Sequence, residues 1–386
     1  MKNRFDTTKK FEDELDLRVY TSNILGEDED LVLHGGGNTS LKKDDVLYVK
    51  GSGWDLASIK KEGFAPVKLQ ALKEMAKLPS LSDSDMVKMQ KEAMLDKSAP
   101  NPSVEAILHA IIPFKYVDHT HADAIVTITN SKNSKEILEE LFEDFLIVPY
   151  IMPGFILAKK VYELTKDGFD WQNSKGIILL NHGIFTFSDD AKESYDKMIQ
   201  AVSKAEEFLE KNAKLSIPPQ TISKEYDLEL LKKLIDSQKG YESVFKIDNS
   251  DLALFYSNQD NLKDFATRGV LTPEHIIRTK REPLIILDDE YKKALDEYIK
   301  NYKEYFKTFA KDEIMLNPSP NYIVLKGFGV IAIGKNEKEA SIILDIVRHT
   351  MQAVLKADML GGYESISLKD SFDMEYWELE QAKLKR

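Results

Sequence analysis

Two segments of this chain carry the same pattern, and that pattern restricts the fold more than any other feature. Gly176–Leu180 is an apolar run, Asn181-His182-Gly183 is a polar turn, Ile184–Phe187 is a second apolar run, and a charged stretch with an apolar stripe extends from Asp190 to Lys211. Short apolar runs bounded by turn residues read as strands, and an apolar stripe at 3.6-residue spacing reads as an amphipathic helix. With Gly329 placed on Gly183, Ile323–Ile333 repeats the apolar spacing of Ile177–Phe187 and again leads through a polar turn into a helical pattern. A sheet with helices packed on it satisfies both periods, so the expected class is α/β, with the second half a candidate degenerate repeat.

A chain of 386 residues can bury two ordinary cores. Ser216-Ile217-Pro218-Pro219-Gln220 interrupts the long helix, so domains are expected over 1–215 and 222–386. In the first, Leu31–Leu33 reads as a strand entering the turn His34-Gly35-Gly36-Gly37, with Val46–Lys50 as hairpin partner, and Ala122–Thr129 reads as a β-branched strand. In the second, Tyr291, Tyr298, Tyr302 and Phe306 form an aromatic stripe on a helix over 290–310, expected to serve as core or subunit contact.

Histidine placement carries the functional signal. His119-Thr120-His121 ends the strand-like run Tyr116-Val117-Asp118, where alternation would put both imidazoles on one face. His182 ends another apolar run, and three imidazoles leaving one position open are what a catalytic zinc requires. Glu105 follows the helix-start signal Pro102-Ser103, and His109, four residues on, is expected to orient it or to be packed. The chain has no cysteine, so nitrogen and oxygen alone would hold a metal.

Other classes are disfavoured. A formal charge of −12 without a free basic cluster argues against nucleic acid. Neither G-x-G-x-x-G nor a P-loop occurs, so no NAD is expected, and the HGGG string lacks the G-x-S-x-G of a serine esterase. The charged start Met1–Lys10 reads as no secretory signal, and the most apolar window, Leu146–Ala158, is too short for a bilayer and broken by two prolines. A cytoplasmic protein without a membrane partner is therefore expected. Three small donor loops suit a phosphate: Gly36, Gly37 and Asn38 in the glycine turn, Ser52 and Gly53 after a strand, and Ser103 ahead of Glu105.

The strings HGGGNTS, KGSGWDL, NPSVEAILHA, VDHTHADA and LLNHGIF, in this order, resemble the class II aldolase/adducin family. The likeness is greatest to the aldolase part of bifunctional rhamnulose-phosphate aldolase/alcohol dehydrogenase proteins, from about Phe11 to Glu378 and including Leu271–Lys280. The resemblance implies zinc on His119, His121 and His182, with other divalent metals also suited to imidazole. It implies Glu105 as catalytic acid/base, brought nearer neutrality by a semi-apolar pocket, and a phosphate site on Asn38, Ser52, Gly53 and Ser103. Val104 stands where many sugar-phosphate aldolases of the family have a second serine, which removes one hydroxyl donor. The implied reaction joins or splits dihydroxyacetone phosphate and an aldehyde, from a ketose 1-phosphate resembling rhamnulose 1-phosphate. Epimerase, dehydratase and decarboxylase chemistry of the same family, or a non-catalytic adducin-like module, are the alternatives. A small phosphorylated sugar as substrate and a homo-oligomeric state are expected.

Overall fold

The computed structural model describes residues 1–385. Two compact units are present: Met1–Thr129 with Ser134–Phe208, and Asn130–Asn133 with Leu209–Leu384.

The first unit is built on seven strands, β1 (Asn38–Lys43), β2 (Val46–Lys50), β3 (Phe64–Lys68), β4 (Tyr116–Thr120), β5 (Phe145–Val148), β6 (Gly176–Leu179) and β7 (Gly183–Ser188), in the spatial order β3-β2-β1-β4-β7-β6-β5. All pairs are antiparallel except β5 with β6. The β1–β2 hairpin closes through Asp44 and Asp45, both at positive φ, as a two-residue turn between twisted strands demands. Leu31–Leu33 is not a strand, because the chain spends the glycine turn before entering β1, and Asn38–Lys43 is the true partner of Val46–Lys50. Ala122–Thr129 is likewise no strand: Asp123–Thr129 is a helix. Its residues from Ala124 to Thr129 are all buried, and burial on every side erases the alternation that distinguishes a strand from a helix.

Beneath β4 lies a buried ion pair. Arg18, on the helix Glu14–Gly26, meets Asp118 Oδ1 at 2.5 Å, and both side chains are wholly buried. Arg18 also donates to Thr21 Oγ1, and Ser194 donates to Asp118 Oδ2. The carboxylate thus has a partner on each oxygen, which makes burial of the charge tolerable.

The second unit holds β8 (Val244–Asp248), β9 (Leu284–Ile286), β10 (Tyr322–Leu325) and β11 (Gly329–Gly334) in the order β8-β11-β10-β9. Its core stacks Ile323, Leu325, Ile331 and Ile333 of the sheet against Tyr291, Leu295 and Ile299, spaced four apart on the helix Tyr291–Phe309. Each such burial stabilises by roughly 2 kcal/mol.

The strand order β8-β11-β10-β9 reproduces β4-β7-β6-β5, with the same two antiparallel pairings followed by one parallel pairing. Register agrees residue by residue. Ile177↔Phe185 and Leu179↔Gly183 correspond to Ile323↔Ile331 and Leu325↔Gly329. The turn residues Asn181 and Gly327 both take positive φ, and His182 N–H and Phe328 N–H donate to the matching carbonyls of Leu179 and Leu325. Long helices, Ala191–Asn212 and Glu337–Met359, follow β7 and β11. Phe328 occupies the place of His182, and Ile247, paired with Ile331, occupies that of His119, paired with Phe185. The copy therefore retains the topology and carries no imidazole at these two positions. Among the described residues no helix is long and apolar enough to cross a membrane.

Candidate metal centre and its surroundings

Strand ends bring the imidazoles together. His119 is the fourth residue of β4, His121 stands just past its end, and His182 lies in the turn that enters β7, the neighbour of β4. One ligand nitrogen from each ring lies within 4.8 Å of the others. His119 Nε2 and His121 Nε2 are 3.0 Å apart, close to the separation that two nitrogens have on one ion at about 2.0–2.1 Å. His119 Nδ1 is 3.0 Å from the carbonyl of Ile184. A carbonyl can only accept, so Nδ1 carries the proton and the Nε2 lone pair faces the other rings. Burial pushes the His119 imidazole well below its ordinary value, which keeps it neutral, as a ligand must be. Gly183 is required here, since a Cβ would collide with the Thr120 carbonyl and press on both His121 and His119.

Glu105 faces the same group. Its Oε2 is 3.5 Å from His119 Nε2, its Oε1 is 3.6 Å from His182 Nε2, and Oε1 has no hydrogen-bond partner. A buried carboxylate oxygen without a donor, aimed at imidazole nitrogens, is what a bound cation or a substrate proton would complete. Burial would raise this carboxyl, while positive charge on the neighbouring imidazoles and the amide of Asn38 act to lower it. An apolar pocket was the expectation for such a base, with a shift toward neutrality. Asn38 and the imidazole nitrogens make that wall polar on the side that faces the carboxylate.

Three side chains form a directed relay behind the carboxylate. Ser40 Oγ lies 2.7 Å from His109 Nδ1, His109 Nε2 contacts Asn38 Oδ1, and Asn38 Nδ2 donates to Glu105 Oε2 at 2.6 Å. Because the amide oxygen only accepts, His109 Nε2 is protonated and its Nδ1 takes the Ser40 hydroxyl hydrogen. Burial lowers His109 to about 3, so the ring is neutral and the relay carries no net charge of its own. Register places this chain: Asn38 pairs with His119, and Ser40 sits two residues along the same face of β1. His109 therefore acts on Glu105 through Asn38.

The three donor loops meet around Lys50. Its Nζ donates to the Gly35 carbonyl at 2.9 Å, and its carbonyl accepts from Ser103 N–H at 3.0 Å. Ser52 N–H donates to Asn101, and Gly51 bridges Pro102. Gly37, at φ 61, lies so close to β4 that a Cβ would be 2.7 Å from the His119 carbonyl. Gly36 N–H is spent on Leu33, and Gly53 takes φ 88. Ser103 Oγ accepts from Glu105 N–H at 3.2 Å, which ties Glu105 down at the N-cap of the helix Ala106–Ile111. Lys50 escaped the sequence reading, although a buried lysine closing an apolar strand directly before Gly-Ser-Gly is a usable signal for an anion.

The remaining histidines lie outside the trio. His34, at φ 37, shapes the glycine turn, His275 is buried in the turn Pro273–His275, and His349 is half-buried on the helix Glu337–Met359.

A family model described as the Class II Aldolase and Adducin N-terminal domain matches residues 18–209, and one described as Aldolase class II, second domain, matches residues 223–384. The N-terminal class II aldolase domain of a conserved protein from Thermoplasma acidophilum is 42% identical, with a TM-score of 0.50 and coverage of 54% of this chain and 99% of that one. A Bacillus subtilis (strain 168) relative named as the uncharacterized oxidoreductase YuxG is 30% identical over 400 residues, covering 95% of this chain. The chain spans 57% of that relative's length. The L-fuculose-1-phosphate aldolase of Thermus thermophilus aligns at 15% identity over 51% of this chain and 93% of that one, with a TM-score of 0.35.

Proposed function

We propose, from the premise that this chain belongs to the class II aldolase and adducin family, that it is a metal-dependent aldehyde-lyase. The substrate would be a ketose 1-phosphate resembling rhamnulose 1-phosphate, split to or formed from dihydroxyacetone phosphate and an aldehyde. His119, His121 and His182 would hold Zn²⁺ within a metal-binding domain over 1–215, with 222–386 as the C-terminal domain. The observation that carries this reading is the unpartnered Glu105 Oε1 set 3.6 Å from His182 Nε2 while Oε2 stands 3.5 Å from His119 Nε2.

A divalent ion at these imidazoles supplies Lewis acidity toward a carbonyl oxygen. Glu105, ionised at neutral pH, takes the proton from the carbon beside that carbonyl and returns it in the reverse direction. Asn38, held by His109, fixes Oε2 so that Oε1 stays free for the proton. Lys50 and the loops at Gly36, Gly37, Ser52, Gly53 and Ser103 take the phosphate, which anchors the substrate for reaction at the other end. The chain is proposed to act in the cytoplasm as a homo-oligomer.

The test is cleavage of L-rhamnulose 1-phosphate and L-fuculose 1-phosphate by zinc-loaded protein, followed by triose-phosphate release. Cleavage that disappears in His121→Ala supports the reading. Zinc-loaded protein that exchanges no proton of dihydroxyacetone phosphate and cleaves neither sugar would overturn it.

A further inference from the structure

The second unit contains a cavity of about 500 Å³ that the metal-centre chemistry does not use. The aromatic stripe read from the sequence divides here: Tyr291 enters the core, whereas Tyr298 and Tyr302, joined by Tyr305 outside that stripe, line this cavity. Charged side chains of both signs stand on its wall, with Lys263 and Arg281 against Asp264, Glu282 and Glu297 beside the Lys280 amine. With three carboxylates on it such a wall disfavours an anionic ligand, while phenol rings and hydroxyls suit a neutral hydroxylated carbon skeleton.

Lys280 is the unusual member. Its backbone takes φ 59 and ψ 178, a region that costs a residue with a Cβ about 1–3 kcal/mol and that persists where surroundings impose it. It is buried, yet the contacts of its amine among the described residues are a long one, 3.4 Å to Glu375 Oε1, and the face of the Tyr302 ring at 3.8 Å. An ammonium has three N–H donors to satisfy. A structural ion pair at this depth needs close, complete hydrogen bonding, and this one lacks it. Burial lowers the amine from its ordinary value, which favours the uncharged, nucleophilic form. Glu375 Oε1 accepts the Tyr302 hydroxyl at 2.7 Å, and its Oε2 has no partner, so a proton acceptor stands beside the amine.

We propose that Lys280 is a nucleophile that condenses with a neutral short-chain hydroxy-aldehyde or hydroxy-ketone bound in this cavity and holds it as an imine. Nζ adds to the carbonyl carbon, forming the C–N bond as the carbonyl π bond opens. The two amine hydrogens then leave with the carbonyl oxygen as water, with Glu375 relaying protons, and the C=N bond is formed. No oxidant or metal is required, and the proposal does not rest on the aldolase reading.

The experiment incubates the full-length protein with glyceraldehyde or dihydroxyacetone and sodium cyanoborohydride, which reduces an imine to a stable secondary amine, and maps the modified lysines by peptide mass spectrometry. Expected is a label on Lys280 at least ten-fold above that on any exposed lysine, undiminished after chelator treatment and absent in Lys280→Arg at unchanged circular dichroism. A label spread over exposed lysines with Lys280 unmodified in the native protein overturns the proposal, as does a Lys280 label that vanishes on chelation.

Discussion

Gly37→Ala tests whether the glycine turn and the metal centre are one mechanical unit. Gly37 lies at φ 61, where an alanine costs about 1–2 kcal/mol relative to glycine. Its added Cβ would stand 2.7 Å from the His119 carbonyl, and a relaxed C···O approach needs about 3.3 Å, so roughly 0.6 Å must be yielded by the turn or by β4. Crowding of this kind typically costs a further 1–3 kcal/mol, roughly. Metal ligands tolerate about 0.2 Å, so the same shift passed to His119 should weaken zinc binding about 10–100-fold. Gly168→Ala is the matched control, because Gly168 has φ 76 and nothing within 4 Å of its would-be Cβ. It carries the backbone strain without the crowding. Urea denaturation and competition with a chelating dye should show the control losing about 1–2 kcal/mol with native zinc affinity. Gly37→Ala should lose about 2–5 kcal/mol and most of its zinc affinity. If the two variants proved alike in both measurements, the argument that the turn buttresses His119 would be wrong.

Three further outcomes are expected. Glu105→Gln should retain zinc by elemental analysis while turnover falls about 10²–10⁴-fold, since the amide cannot accept the proton. Asp118→Ala should cost about 3–5 kcal/mol in denaturant titration by leaving the Arg18 guanidinium buried without its carboxylate, and Arg18→Met with Asp118→Leu together should recover much of that loss. Lys50→Met should raise KM for a phosphorylated ketose about 10-fold or more while barely altering an unphosphorylated analogue, a split that steady-state kinetics resolves directly.

The imidazole trio was legible because each histidine sits where an apolar run meets a polar turn, and strand ends on adjacent strands converge. The repeat was legible for a similar reason, since the apolar spacing around Gly183 and Gly329 encodes the hairpin register itself. What escaped depends on pairing between distant segments. The link from Ser40 through His109 and Asn38 to Glu105 exists only because β1 pairs with β4 at Asn38↔His119, a register that neither strand announces alone. The polar wall beside Glu105 escaped for the same cause, as the surrounding residues read as semi-apolar until Asn38 and the rings are placed. Ala122–Thr129 misled because Ile, Val and Thr favour strands intrinsically, and complete burial of a short helix overrode that preference.

X-ray absorption at the zinc edge on the purified, zinc-loaded protein bears most directly on the central claim, that three imidazoles converge on one ion beside Glu105. The account predicts one zinc per chain with three imidazole nitrogens at about 2.0–2.1 Å, one of which disappears in His182→Ala. A zinc bound by oxygen alone, or one whose shell is the same in His182→Ala, would contradict it.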